Sequence, residues 1–177
     1  MDWFTADTHL GHANIIKHCN RPFANVAEMD EVILDGLNSA VAASDTLYHL
    51  GDFAFRGGLA AIAAYRARIR CRRIVLILGN HDPHTSAGLP KPALLDVFSE
   101  AYTMLRIRPM FGGRRRPIVL CHYAMRTWQS SCHGSWHLYG HSHGMLPPVG
   151  LSLDVGVDRH EFRPVGLARA AALLSAD

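Results

Sequence analysis

Apolar residues along the chain follow two rhythms: short solid runs of four or five, and longer stretches that repeat every three or four positions. The runs at residues 2–6, 46–50 and 74–78 are rich in β-branched and aromatic side chains, and each stops at an Asp or Gly, as buried strands do. Strands are also expected at 103–110, 117–121, 136–139 and 152–157. Gly112-Gly113 lies between the first two of these, which predicts a hairpin with Arg114, Arg115 and Arg116 near its tip. Helical spacing joins Val26, Met29, Ile33, Leu37 and Val41, and Asn25 with Glu28 forms a capping box in front of them. Further helices are expected at about 59–69, after Gly57-Gly58, and at about 93–100 and 165–174. Strands and helices alternate with no Ser/Gly/Pro linker between them. One α/β domain over residues 1–177, without internal repeats, is therefore expected.

Asp7, Asp52, Asn80, His122 and His141 each fall at or just past the C-terminal end of an expected strand, which is where open α/β sheets bind ligands. Composition sharpens this. The 177 residues are 49% hydrophobic and 19% charged, with 18 Lys+Arg against 15 Asp+Glu, so neither disulfides nor a structural metal is needed merely to fold. Twelve histidines outnumber the six Met, five Tyr and four Cys, and imidazole is the commonest protein metal ligand. Cys19, Cys71, Cys121 and Cys132 form no CxxC pair and are expected as free thiols. No apolar run approaches membrane-span length and the N-terminus does not read as a secretion signal, so no membrane association and a cytoplasmic location are expected. A net charge of +3, with one short arginine run, does not by itself indicate a nucleic-acid partner, and an anionic small substrate fits equally well.

Five segments concentrate metal-competent side chains: Asp7-Thr8-His9, Gly51-Asp52, Gly79-Asn80-His81-Asp82, Cys121-His122 and Gly140-His141-Ser142-His143. Each alone is also what a turn or a hydrogen-bonded histidine produces. In this order, from residue 7 to 143, they resemble the calcineurin-like metallophosphoesterase superfamily, whose pattern is D-x-H, G-D, G-N-H-D/E, H and G-H-x-H. The stretches 3–15, 19–23 and 155–158 are similar to a branch of small bacterial phosphoesterases. The resemblance implies a sandwich of two mixed β-sheets flanked by helices, with a metal site at the C-terminal strand ends.

Carried over residue by residue, it implies one divalent ion on Asp7, His9, Asp52 and His143 and a second on Asp52, Asn80, His122 and His141. A shared carboxylate would reduce the repulsion between cations roughly 3.5–4 Å apart. Nitrogen and oxygen donors favour Mn, Fe, Zn or Ni over Mg or Ca. The implied reaction is hydrolysis of a phosphomonoester or phosphodiester by a bridging hydroxide. His81 would contact the phosphate and protonate the leaving oxygen, and Asp82 would orient or charge His81. One departure stands out: many members carry an acidic residue three positions after the G-D aspartate, where this chain has Phe55.

Arg21, Arg56 and His12, with Asn80, are candidates for binding substrate, because guanidinium forks match phosphate oxygens. Asn14, Arg126, Tyr123 and Trp128 are weaker candidates, and the roles of His12, His84, His133 and His137 stay open. Loops at roughly 10–25, 53–58, 83–92 and 123–135 would set specificity around a fairly open site. A nuclease, a cyclic-nucleotide phosphodiesterase and a non-catalytic scaffold of the same fold remain alternatives.

Overall fold

The computed structural model describes residues 1–55 and 57–175. Strand β1 (Asp2–Thr5) is followed by α1 (Ala13–His18), α2 (Val26–Ala40), β2 (Thr46–His49), α3 (Gly58–Ala67), β3 (Arg73–Ile77) and β4 (Glu100–Tyr102). Then come β5 (Met104–Ile107), the hairpin β6 (Met110–Phe111) and β7 (Arg114–Arg115), β8 (Ile118–Cys121), β9 (Trp136–Tyr139), β10 (Ser152–Asp154), β11 (Val165–Gly166) and α4 (Leu167–Leu174).

The strands form two mixed sheets. The first has the order β11-β1-β2-β3-β4, parallel except for β11. The second has the order β10-β9-β8-β5, parallel except for β5. Alternation along each strand sorts side chains between two apolar layers. Phe4, Val75 and Ile77 face Ile118, Leu120, Trp136 and Leu138 across the gap between the sheets. On the opposite face of the first sheet, Leu47, Ile74 and Leu76 pack against Met29, Ile33, Leu34 and Leu37 of α2. Burying each such side chain contributes roughly 1.5–3 kcal/mol.

The cap of α2 forms as expected. Asn25 Oδ1 accepts from the Glu28 amide at 3.0 Å, while the Glu28 carboxylate accepts from Ala24 N at 2.8 Å, one residue upstream of the usual reciprocal partner. Other boundaries move. The helix expected at 93–100 is only a 3-10 turn at Pro92–Asp96, and the chain extends at Glu100 to pair with β3. The long strand expected at 103–110 ends at Ile107, and Pro109 separates it from the Gly112-Gly113 hairpin, whose glycines adopt φ of 58° and 76°. The strand expected at 152–157 stops at Asp154, and a 3-10 turn follows at Val157–Arg159. Val165 and Gly166 pair with Phe4 and Trp3 before α4 begins. Consecutive parallel strands deliver their C-terminal loops to one end of the sandwich, and a parallel bridge between Ala6 and Gly156 joins the two sheets there.

Candidate metal centre

The five loops expected to carry ligands meet at that end, because close backbone approaches lock them together. A Cβ on Gly51, whose φ is +94°, would lie 2.5 Å from both Gly79 N and His122 Nδ1, and one on Gly140 would lie 2.5 Å from the Ala6 Cβ. The backbone around the site is strained. Asp7, His9, Asp52, His141 and His143 have φ of 57°, 48°, 56°, 64° and 46°, a left-handed conformation that side chains other than Gly seldom adopt and that concentrates at functional sites.

Two groups of donors result, Asp7, His9 and His143, and Asp52, His122 and His141, with a third, His9, Asp52 and His81, linking them; ligand atoms lie within 4.8 Å of one another in each. Hydrogen bonds fix which atoms are bare. His122 Nδ1 donates to the Leu50 carbonyl at 2.7 Å, so its Nε2 carries a lone pair. That lone pair faces Asn80 Oδ1 at 3.1 Å and Asp52 Oδ2 at 3.6 Å, both acceptors. His9 Nε2 is buried without a hydrogen-bond partner, 3.4 Å from the same Asp52 oxygen. His143 Nδ1 lies 2.7 Å from the Asp158 carboxylate, which leaves its Nε2 for the cluster. Ring nitrogens and oxygens that converge at the floor of a cleft in this way fit a bound cation.

Burial and close charges shift the titrating groups here in both directions. Burial drives the Asp7 carboxyl well above its ordinary range, although two bonds from the His141 amide at 3.0 and 2.8 Å and the nearby His143 pull it back. Burial, then the neighbouring His143 and Arg21, hold His9 far below the usual imidazole value. Burial alone would lower His143, but the Asp158 bond, with Cys19 and Asp7 beside it, raises it to about 10. A cleft of about 850 Å³ opens over the cluster, lined in part by His12, Asn14, Asn80, His81 and Met145.

Residues 3–145 match the family model for calcineurin-like phosphoesterases. The chain belongs to that family. A relative in Methanocaldococcus jannaschii, an uncharacterized protein, is 30% identical over 172 residues, covering 93% of this chain and 86% of its own. The Gene 66 protein of Mycobacterium phage L5 is also 30% identical, over 183 residues that cover 88% of this chain and 86% of its own. A protein of unknown function from Aquifex aeolicus shares the fold, with a TM-score of 0.72, 24% identity and 98% coverage of both chains. Membership supports hydrolysis of phosphate esters in general.

Several expectations for this calcineurin-like phosphoesterase need correction. Arg21 does not face substrate. Its side chain is fully buried, it grips Asp158 with bonds of 2.8 and 2.9 Å, and it donates to the Asp7 and Thr8 carbonyls at 2.7 and 3.2 Å. Asp82 does not orient His81. It accepts from the amides of Asp52, Phe53 and Gly79 at 2.8, 3.1 and 2.8 Å, clamping the β2 loop to the β3 loop, and burial raises its carboxyl to about 7. Phe55, in place of the acidic residue, stacks on His12 with ring centres 3.6 Å apart and meets His81 edge-on at 5.1 Å. Arg56 lies outside the described residues. His12 Nδ1 sits 3.2 Å from His9 Nδ1, behind a candidate ligand.

His137 is buried, bonded to the Val119 carbonyl and accepting from the Met125 amide at 3.1 Å, which holds the 123–135 loop on the second sheet, while Trp128 donates to Ser135 O across that loop. His84 bonds the Asp82 carbonyl at 2.9 Å, and His133 closes the 3-10 turn at Ser131–His133. Two carboxylates carry more than the sequence reading assigned to them. Asp158 orients His143, and Asp154 accepts from Ser142 Oγ and Gly144 N at 2.6 and 2.9 Å, which fixes the loop bearing His141 and His143. The stretch Val155-Gly156-Val157-Asp158 was the available signal. The four cysteines are free thiols, and no helix among the described residues is long and apolar enough to cross a membrane.

Proposed function

We propose that the chain is a binuclear metal-dependent phosphoesterase in which Asp7, His9, Asp52 and His143 hold one divalent transition-metal ion and Asp52, Asn80, His122 and His141 the other. The observation that carries this reading is the convergence of ligand atoms on Asp52 Oδ2, with His9 Nε2 and His122 Nε2 at 3.4 and 3.6 Å and Asn80 Oδ1 3.1 Å from His122 Nε2. Such ions, Mn, Fe, Zn or Ni by the mixed nitrogen and oxygen donors, would supply Lewis acidity toward water and toward the phosphate oxygens. The protein supplies position. Asp52 Oδ1 accepts from the His81 amide at 2.9 Å, which anchors that exposed histidine at the cleft. Its imidazole, edge-on to His9 and Phe55, holds the proton that the leaving oxygen takes up.

The test is reconstitution with Mn, a metal count, and a panel of a chromogenic phosphomonoester, a chromogenic phosphodiester and a 2',3'-cyclic nucleotide. About two ions per chain and Mn-dependent turnover of at least one ester are expected. Less than one ion per chain, or no turnover across the panel, overturns the reading.

The pairing of Asp158 with His143 yields a narrower prediction. Asp158→Asn keeps the shape but removes the charge that orients His143, and losing such a support costs roughly 10–100-fold in metal affinity. Calorimetric Mn titration should show one of the two binding steps weakened by that factor and the other little changed. Two unchanged steps would remove Asp158 from the metal centre.

A further inference from the structure

The near-balanced total charge conceals a segregation. Residues 101–153 hold six arginines and no Asp or Glu, leaving 12 basic and 15 acidic residues in the rest of the chain. This stretch builds β5 through β9, including three of the four strands of the second sheet. Arg116 is committed to structure, its guanidinium over the Trp136 ring and its Nη1 donating to Gly134 O. Arg106, Arg108, Arg114, Arg115 and Arg126 are exposed, and no carboxylate among the described residues pairs with any of them.

Their placement gives a direction. β5 is the edge strand of its sheet, and its Leu105 and Ile107 pack on the inter-sheet core, so Met104 and Arg106 point outward. Arg108 follows directly after the strand and is exposed as well. Met104 pairs with Cys121, the neighbour of His122, so β5 starts at the metal-centre end and runs away from it toward the Arg114-Arg115 hairpin. At its start, Thr103 lines a second cleft of about 480 Å³ with Asn80, His84 and Tyr123. Asn80 lines the main cleft as well. Tyr123 is 47% exposed and meets His122 and His141 edge-on, presenting an aromatic surface beside the site.

A cationic row joined to an exposed aromatic is how proteins hold single-stranded nucleic acid, with phosphates on the row and bases on the ring. We propose that the β5 strand and the β6–β7 hairpin form a track for single-stranded nucleic acid that leads past Tyr123 and Asn80 into the metal centre. Delivery to a hydrolytic site rests on the phosphoesterase reading above, whereas binding does not. Continuity with a cleft suited to a phosphate ester favours nucleic acid over an acidic protein or an anionic membrane.

The test uses the full chain in EDTA, with fluorescein-labelled dT20 and U20 followed by anisotropy from 50 to 300 mM NaCl. Single strands lose affinity with a log–log salt slope of about −0.7 per phosphate contacted, so three or four contacts predict a slope of about −2 to −3. Arg106→Ser, Arg108→Ser and Arg114→Ser combined should weaken binding at least tenfold at 50 mM NaCl and flatten the slope. The same variant should hydrolyse a small chromogenic ester with Mn as the unaltered protein does. Undetectable or salt-independent binding, equal binding by the variant, or tighter binding to polyglutamate or phosphatidylserine vesicles would each overturn the track. If the unaltered protein turns over no small ester, the phosphoesterase reading falls while the EDTA measurement still decides the track.

Discussion

Asp52→Asn should lower Mn-dependent ester hydrolysis by about a thousandfold or more, the equivalent of several kcal/mol of lost charge stabilisation. The side chain is 2% exposed, and its Oδ2 lies 3.4 and 3.6 Å from the Nε2 atoms of His9 and His122, so no water or neighbouring carboxylate can replace it. Asparagine preserves the volume and can still accept from the His81 amide, which separates charge from shape. Stability gives an independent readout. A ligand at 100 times its Kd stabilises a fold by about 2.7 kcal/mol, or roughly 5–10 °C for a chain of this size. Mn should raise the Tm of the unaltered protein by at least that much and leave the variant nearly unmoved. Without metal the variant should be no less stable, because the Asp52 charge opposes ionisation of buried Asp7 and Asp82. A variant that takes up two ions and retains turnover would exclude Asp52 as the shared ligand.

The parts of the fold that were legible in advance are those where burial is one-sided and the period unambiguous. Residues 74–78 read as a strand because every position is apolar, and the structure buries β3 from Ile74 onward between α2 on one face and the second sheet on the other. The α2 pattern and its Asn25 cap likewise fixed a start and a face. The short pieces were not legible. β4, β11 and the six-residue α1 are held by pairing and packing with distant segments, so Glu100, Val165 and Gly166 read locally as ends of helices and 13–18 as loop. Val165 extends because Phe4 offers an edge to pair with, which no local propensity encodes.

The candidate centre shows the same division. The five motif blocks placed the donors, since each sits just past a strand end. The surrounding residues are not legible wherever a charged group turns inward. Arg21 carries the signature of a phosphate clamp, but its guanidinium instead joins the Asp7 carbonyl, near the start of the donor set, to Asp158, which holds His143 near its end. A contact across 137 positions has no local signal. Asp82 adjoins His81 in sequence yet points the other way, toward three amides. Phe55 replaces a charge with a ring that packs against His12 and His81, so this wall of the cleft is held by stacking where many members use a carboxylate.

Gly79→Ala should cost about a hundredfold or more in hydrolysis without replacing any donor. A Cβ on Gly79 would lie 2.2 Å from Asp52 Oδ1, 2.5 Å from Asp52 N and 2.9 Å from Asp52 Cγ. One of these is backbone, so no rotamer change of Asp52 relieves the overlap and the whole β2 loop must retreat. Misplacement by about 1 Å is enough for a hundredfold loss when catalysis depends on a fixed constellation. Overpacking of this kind also destabilises by about 1–3 kcal/mol, a fall in Tm of roughly 2–12 °C. Gly112→Ala supplies the contrast. Its φ of +58° strains an added side chain, but a Cβ there meets nothing within 4 Å. That variant should lose about 1–2 kcal/mol of stability and keep its turnover of a small ester. If Gly79→Ala instead retains turnover within twofold, the β2 and β3 loops are not locked against each other, and the spacing of Asp52 from Asn80 is set by something other than the missing side chain.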